Sequence, residues 1–392
     1  MTNPERTLEK IFKDAIDRSA SDIHFAPLNR QLINIFFRIH GQFSLYAQLG
    51  AVPYGDLCGY IKKLAGAARV DRTPTSRNIC LEIKNKQRFY RAEIGFSHLY
   101  EHNVITLRQL NHETEFYDIN RLGFDSEDLI SIKASLLKRN GLILVSGPTG
   151  SGKTTTLYSF LRFISSYGQA PQNIITIEQP IDRPVPGITQ FEPKENLRIA
   201  DIVKSTMRHT PDIIMIGEIR DSDSAIETVR AAYTGHLVMT TIHANSSLTA
   251  VNRMVQMGVE PYNLTTVLSM SMAQRLYPKL CPECREETQI DEVSRYILIK
   301  AKAEKEIEKM FKKGKGCPQC TEGIAGQVLV YEMMRIGMDD QHELLDSLKQ
   351  GIHLDSLRKQ LIRKTGTKSI NRRILDHIKK GNISIEDAIR QF

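Results

Sequence analysis

Apolar residues in the first hundred positions change from helical spacing to strand-like spacing. One helical face is expected over residues 4–19, formed by Leu8, Ile11, Phe12, Ala15 and Ile16. Short apolar runs typical of β-strands follow at 32–38, 79–83, 89–94 and 104–108, with one helix expected over 54–65. The pattern predicts an N-terminal α+β domain over residues 1–108.

Beyond a polar linker predicted at 109–120, strands and helices alternate. Four apolar runs predict buried strands, at 142–146, 174–177, 213–216 and 237–241. Strands that alternate with helices form a mostly parallel sheet covered by those helices. We therefore expect a fold of the α/β class, with its core at 121–280 and a mostly helical C-terminal region at 331–392.

The first strand of this core runs directly into a glycine-rich loop. Residues 147–154 match G-x-x-x-x-G-K-[ST], with an apolar strand before the loop and a predicted helix after it. Glycines let successive backbone N–H groups face phosphate oxygens, Lys153 adds a charge for the β- and γ-phosphates, and the Thr154 hydroxyl is placed to ligate Mg²⁺. ATP is therefore the expected ligand. The predicted nucleotide-binding residues are Gly147, Pro148, Thr149, Gly150, Ser151, Gly152, Lys153, Thr154 and Thr155.

Hydrolysis also needs carboxylates at neighbouring strand ends to hold Mg²⁺ and orient the attacking water. Glu218 ends the apolar run 213–216 in the manner of a Walker B element, and Glu178 follows 174–177 in the same way. A helix cap or a surface carboxylate is the alternative for either residue. A third strand delivers His243, which either senses the γ-phosphate or is an ordinary polar residue at a strand end.

Four of the six cysteines form two C-P-x-C pairs, Cys281/Cys284 and Cys317/Cys320. Two such turns suit a tetrahedral site with four thiolates, so we expect one structural Zn²⁺ in a module at 281–330. The spacing between the pairs is longer than usual, and the residues from 285 to 310 are expected to form a small helical insertion. Disulfide pairing is the alternative, which a cytosolic chain disfavours.

Composition limits the function classes. Hydrophobic residues make up 41% of the 392 residues and charged residues 25%, which is ordinary for a globular protein, and the formal net charge is +8. No apolar run approaches the ~18 residues that span a bilayer. The N-terminal residues lack a secretory signal pattern, so a cytoplasmic location is expected. Basic residues do not cluster with aromatics near the cysteines and there is no Trp, so direct nucleic-acid binding is not expected.

Several motifs, in this order, resemble the secretion and pilus-assembly ATPases, the GspE/PulE-type motors of type II secretion, type IV pili and DNA uptake. The resemblance covers the chain from about residue 19. The matching segments are 21–24 (Ser-Asp-Ile-His), 178–182 (the acidic "Asp box"), 217–221 (Walker B), 234–236 with 241–245 (the histidine box), 273–276 leading to Cys281, and 326–334.

The resemblance implies roles for individual residues. Glu178 is expected to be the general base or water-orienting carboxylate, Glu218 to support Mg²⁺ and water, and His243 to read the γ-phosphate. Family members work as hexameric rings in which arginines of the N-terminal domain reach the phosphates, and Arg91 and Arg108 correspond best to these arginines. The implied core is the RecA-like parallel sheet of P-loop NTPases.

The implied function is a cytoplasmic, homohexameric ATPase at the inner face of the membrane. It would power assembly of a type IV pilus or a type II secretion pseudopilus through an inner-membrane platform protein. Gln179 stands where the family usually has Asp, and Asp182 replaces a usual Glu, so hydrolysis is expected to be slow. Two alternatives remain: a conjugation or type IV secretion ATPase, which would not be expected to carry the cysteine module, and a nucleotide-regulated scaffold with little hydrolysis.

Overall fold

A computed structural model describes residues 3–67, 74–83, 86–110, 118–167, 172–181, 184–193, 197–300, 309–350, 354–364 and 366–389. The chain divides into two units, residues 1–113 with 315–326 and residues 114–314 with 327–392. The predicted linker at 109–120 lies mostly outside the described residues, so its role as a linker stays a prediction. Asp182 also lies outside them.

The N-terminal unit contains a six-stranded antiparallel sheet and two helices. Its elements are α1 (Pro4–Asp17), β1 (Ala20–Pro27), β2 (Leu32–Ile39), β3 (Gln42–Gly50), α2 (Ala51–Leu64), β4 (Thr75–Ile83), β5 (Lys86–Ser97) and β6 (His102–Leu110). The strand order is β3-β2-β1-β6-β5-β4. Both helices bury their apolar faces in one core with the sheet, as helical spacing in α1 predicts. The apolar runs in the sequence did not predict β1 and β3.

The second unit is built around a seven-stranded sheet of order β15-β12-β7-β11-β10-β8-β9. Its first elements are α3 (Ser126–Leu136), β7 (Gly141–Ser146), α4 (Lys153–Ser166), β8 (Ile174–Ile177), β9 (Thr189–Phe191), α5 (Ile199–Thr206), β10 (Ile213–Ile216), α6 (Ser222–Tyr233) and β11 (Leu237–Ile242). The strands from β12 to β9 in this order pair in parallel. The sheet agrees with the α/β class and with all four predicted strands.

The later elements complete this sheet and add helices. They are α7 (Ser247–Gln256), α8 (Pro261–Val267), β12 (Leu268–Leu280), β13 (Glu286–Thr288), α9 (Glu292–Lys300), β14 (Met310–Lys312), β15 (Ile324–Arg335), α10 (Met338–Gln350), α11 (Leu354–Lys364), α12 (Ile370–Lys379) and α13 (Ile385–Ile389). The insertion between the cysteine pairs is only partly helical, because β13 and β14 pair antiparallel around α9. The region predicted to be helical from 331 begins on β15.

Two apolar cores cover the two faces of the seven-stranded sheet. Ile143 and Val145 of β7 pack in one core, and Leu142 and Leu144 pack in the other. Successive side chains of a strand point to opposite faces, so a strand that is apolar throughout must be covered on both sides. In the described part of the chain, no helix is long and apolar enough to cross a membrane.

Candidate functional site

The glycine loop connects β7 to α4, and Lys153 is the first residue of that helix. Gly147 has φ +151°, and a Cβ atom built on it would lie 2.3 Å from the Gln274 carbonyl oxygen. Gly152 has φ +83°, in the left-handed region that favours glycine. The loop conformation therefore needs glycine at these positions, and it places the N-terminus of α4 where backbone N–H groups can receive an anion.

Gln274 braces the loop from β12. Its buried side chain donates from Nε2 to the Ser151 carbonyl oxygen at 2.7 Å and accepts from the Thr156 hydroxyl at 3.0 Å. One amide thus holds both the loop and the first turn of α4. In the sequence, Gln274 belongs to the segment leading to the cysteines, and no local pattern indicates that β12 lies beside β7.

Lys153 is folded back onto the loop. Its Nζ atom donates to the carbonyl oxygens of Gly147 and Pro148, each at 3.0 Å, and only 9% of the residue is exposed. Burial lowers the pKa of Lys153, while the charge of Glu218 opposes this shift. Phosphate oxygens carry full negative charge and would be stronger partners for this ammonium than the two carbonyls.

Glu218 and His243 meet beside the loop. They follow the neighbouring parallel strands β10 and β11, and His243 Nε2 lies 2.8 Å from Glu218 Oε1. The other carboxylate oxygen of Glu218 accepts two hydrogen bonds from Arg220, at 3.0 and 2.9 Å. The Thr241 hydroxyl donates to the Gly217 carbonyl at 2.6 Å and fixes the strand ends that carry the pair.

Glu178 has a different environment. It is 3% exposed, and its oxygens accept from the hydroxyls of Tyr158 and Thr176, each at 2.6 Å, and from Gln190 Nε2 at 3.2 Å. These donors lie on α4, β8 and β9. The carboxylate therefore ties three elements together, an arrangement that the strand-end position alone did not predict.

Arg91 and Arg108 lie in the N-terminal unit, in one row across its sheet. Arg38, Asp22, Arg108 and Arg91 face one another in register on β2, β1, β6 and β5. Arg108 Nε donates to Asp22 at 2.9 Å, and 59% of its side chain is exposed. Arg91 is buried and donates to Asn78 at 3.3 Å. The row is positively charged overall because it contains three arginines and one carboxylate, which pairs with Arg38 and Arg108.

The four cysteines predicted to bind a metal form one cluster. The sulfur atoms of Cys281, Cys284, Cys317 and Cys320 all lie within 4.8 Å of one another. Sulfurs at about 2.3 Å from a tetrahedral zinc ion are about 3.8 Å apart, so the donor set fits zinc. Four thiolates would fill the coordination sphere and leave no open position for chemistry.

The class of protein follows from three features: the glycine loop, the Glu218–His243 pair and the parallel sheet that carries them. Together they define a P-loop nucleotide-binding protein. All of these side chains lie at the carboxyl ends of β7, β10 and β11, the edge where open α/β sheets bind ligands.

Comparison with known proteins is consistent with this class. Residues 2–390 match the family described as Type II/IV secretion system protein. The Type II secretion system ATPase E of Vibrio cholerae serotype O1 is 31% identical over 392 residues, covering 98% of this chain and 74% of the relative. The Type IV pilus assembly ATPase PilB of Myxococcus xanthus is 34% identical over 387 residues, covering 97% of this chain and 66% of the relative.

A solved structure has the same fold. The X-ray structure of the Legionella pneumophila ATPase DotB aligns with a TM-score of 0.74 at 18% identity, covering 99% of this chain and 95% of that chain. With the match over 2–390, the chain belongs to the Type II/IV secretion system protein family of ATPases. The family expected from the sequence motifs is thus confirmed.

Proposed function

We propose that this chain hydrolyses ATP and uses the energy to drive assembly of a type IV pilus or a type II secretion pseudopilus. The observation that carries the proposal is the contact of Glu218 with His243 beside a fully formed phosphate loop. The names of the relatives, a type II secretion ATPase and a pilus assembly ATPase, support the two kinds of filament.

The residues of the loop bind and orient the triphosphate. Lys153 would exchange its two carbonyl partners for phosphate oxygens, and the Thr154 hydroxyl and Glu218 would hold Mg²⁺ directly or through water. Mg²⁺, when bound, neutralises charge on the β- and γ-phosphate oxygens. His243, held against Glu218, is placed to respond to the γ-phosphate.

Glu178 is better suited to a supporting role than to the general base that the resemblance implies. A base must reach the attacking water, whereas this carboxylate is buried and already accepts from Tyr158, Thr176 and Gln190. We propose that it fixes β8 and α4 so that the loop keeps its shape, while Glu218 orients the water.

We further propose that the working form is a homohexamer. Arg91 and Arg108 would then act on a nucleotide held by a neighbouring copy, where a positive charge in the transition state is worth ~10³ or more in rate. Arg108 has more of its side chain exposed and is the better candidate to reach a phosphate. Arg91 is buried and is better suited to holding the row in place.

One Zn²⁺ per chain would be held by the cysteine cluster, as a structural ion. The partner would be an inner-membrane platform protein, which places the hexamer at the inner face of the membrane. No direct contact with nucleic acid is proposed.

The test is Mg²⁺-dependent ATPase activity per chain, measured across protein concentration for the wild type and for Glu218→Gln. Activity per chain that rises with concentration and is lost in the variant supports a site completed between copies. ATP binding without turnover at any concentration would reject the motor and favour the nucleotide-regulated scaffold.

A further inference from the structure

A fully buried carboxylate on β15 links the loop after His243 to the C-terminal helices. Glu332 has no exposed surface, and one of its oxygens accepts from both the backbone N–H and the hydroxyl of Ser247, each at 2.9 Å. The same carboxylate is paired with Arg358 of α11, whose Nε lies 2.9 Å from it. Its other oxygen accepts from the backbone N–H of Ile370, the first residue of α12, at 3.4 Å. Glu332 thus joins β15 to α7, α11 and the start of α12.

Ser247 is the first residue of α7, and only three residues separate it from His243. The Ser247 carbonyl also accepts from the Ser271 hydroxyl at 2.7 Å. The loop is therefore fixed at one end by β11 and at the other end by Ser247. A shift of Ser247 would be transmitted over a short connection to the imidazole that contacts Glu218.

The link depends on charge as well as on shape. Burial by itself would raise the pKa of Glu332, but the Arg358 guanidinium and the Ser247 donors together hold it below its usual value. A buried carboxylate that keeps its charge is strongly held by its partners, and removal of one partner leaves an uncompensated charge. The pair therefore fixes the position of Ser247 only as long as α11 stays in place.

We propose that Glu332 and Arg358 are positioning residues for His243, through which the C-terminal helices control the catalytic competence of the nucleotide site. The inference rests on the proposed ATPase mechanism. It assigns to α11 a role in turnover rather than in ATP binding, because the phosphate loop and the first turn of α4 are braced separately by Gln274.

The same strand offers a matched control. Tyr331 precedes Glu332 and points to the other face of the sheet, where its hydroxyl donates to buried Asp128 at 2.6 Å. Arg373 of α12 also donates to Asp128, at 2.6 Å. This second buried ion pair attaches α12 to α3, whereas Glu332 contacts the first residue of α7.

The experiment compares steady-state ATPase kinetics and thermal midpoints of the full chain for wild type, Glu332→Gln and Asp128→Asn. We expect Glu332→Gln to lower kcat on the order of 10- to 100-fold with the KM for ATP within about twofold. Asp128→Asn is expected to lower the thermal midpoint to a similar degree while kcat stays within about threefold. Equal losses of kcat in the two variants would overturn the inference.

A double variant separates an effect on the position of His243 from an effect on the stability of the fold. Glu332→Gln with Arg358→Met removes the unpaired buried charge, so the thermal midpoint is expected to recover while kcat stays low. Recovery of kcat as well would reject a positioning role. If Glu332→Gln does not fold, Ser247→Ala removes only the hydroxyl contact and is expected to lower kcat with unchanged KM; unchanged kcat would reject the link. A wild-type chain without Mg²⁺-dependent turnover would reject the proposed function itself.

Discussion

His243 and Glu218 follow different strands of the sheet, and their side chains meet with Nε2 2.8 Å from Oε1. The Glu218 side chain is one-quarter exposed and that of His243 about two-fifths, so both are accessible to solvent. This contact joins the carboxylate expected to support Mg²⁺ to the histidine expected to read the γ-phosphate.

Glu218→Gln is expected to keep ATP binding and to lose turnover. The amide has the shape of the carboxylate but neither its charge for Mg²⁺ nor its basicity toward water, and such a loss costs on the order of 10² to 10⁴ in kcat. Single-turnover hydrolysis and equilibrium ATP binding measure the two effects. Lys153→Ala is the matched comparison, because it should abolish tight binding. Normal turnover in Glu218→Gln would show that the carboxylate is wrongly assigned.

Gln274→Met is expected to weaken ATP binding. The substitution keeps the volume but leaves the Ser151 carbonyl and the Thr156 hydroxyl without their buried partner, a cost of about 1–3 kcal/mol in the loop conformation. That corresponds to roughly 5- to 150-fold in ATP affinity. Isothermal titration with ATP and Mg²⁺ measures it. Gln341→Met on α10 is the control and should bind normally, because the Gln341 amide donates to the Thr266 carbonyl rather than to the loop.

Tyr158→Phe distinguishes the two roles considered for Glu178. If the carboxylate only supports β8 and α4, loss of the 2.6 Å hydrogen bond lowers the thermal midpoint, and Glu178→Gln lowers kcat no more than Tyr158→Phe does. If Glu178 is the base, Glu178→Gln loses turnover by orders of magnitude while Tyr158→Phe stays active. ATPase rates and melting curves of both variants decide between the two.

Elemental analysis is expected to find one zinc per chain after gentle purification. Cys317→Ser removes one of four thiolates and should lower both zinc content and thermal midpoint, since metal binding and folding are coupled. Cys80→Ser, at an exposed position on β4, is the control and should leave both unchanged. A wild-type chain with clearly substoichiometric zinc would contradict the prediction.

The N-terminal unit is expected to lose stability as the pH falls below about 6.5. Burial lowers the pKa of His24, with Arg38 and Arg108 acting in the same direction and Asp22 against it. The unfolded chain therefore binds a proton at a higher pH than the folded chain does. The contribution of His24 to the free energy of unfolding is complete above the pKa of this histidine in the unfolded chain. It is lost as the pH falls through the lowered pKa of His24 in the folded chain.

Thermal midpoints of wild type and His24→Gln between pH 5 and pH 8 test this expectation. The decrease toward acid pH should be smaller in the variant, because one of the groups that must gain a proton is gone. If the thermal midpoints of the two proteins decrease equally toward acid pH, groups other than His24 govern the loss of stability.

Local sequence patterns predicted much of the fold. The glycine motif, the helical face of α1 and the four apolar runs each depend on neighbours in sequence, and the structure has the corresponding elements. The cysteine spacing predicted a cluster that the structure contains. The apolar pattern did not predict the strands β12 and β15, because a strand buried on both faces has the same continuous apolar content as a buried helix.

Only the tertiary structure could decide which side chains act together. Glu178 and Glu218 both follow short apolar strands, and their positions at the strand ends do not distinguish their environments. Tyr158 and Gln190, which lie on other elements, enclose the Glu178 carboxylate. The Glu218 carboxylate contacts His243 and Arg220 and stays partly exposed. Gln274 and Glu332 likewise gain their roles from strands that become neighbours only on folding. The sequence alone determined the nucleotide loop and the family, because both are encoded by contiguous motifs.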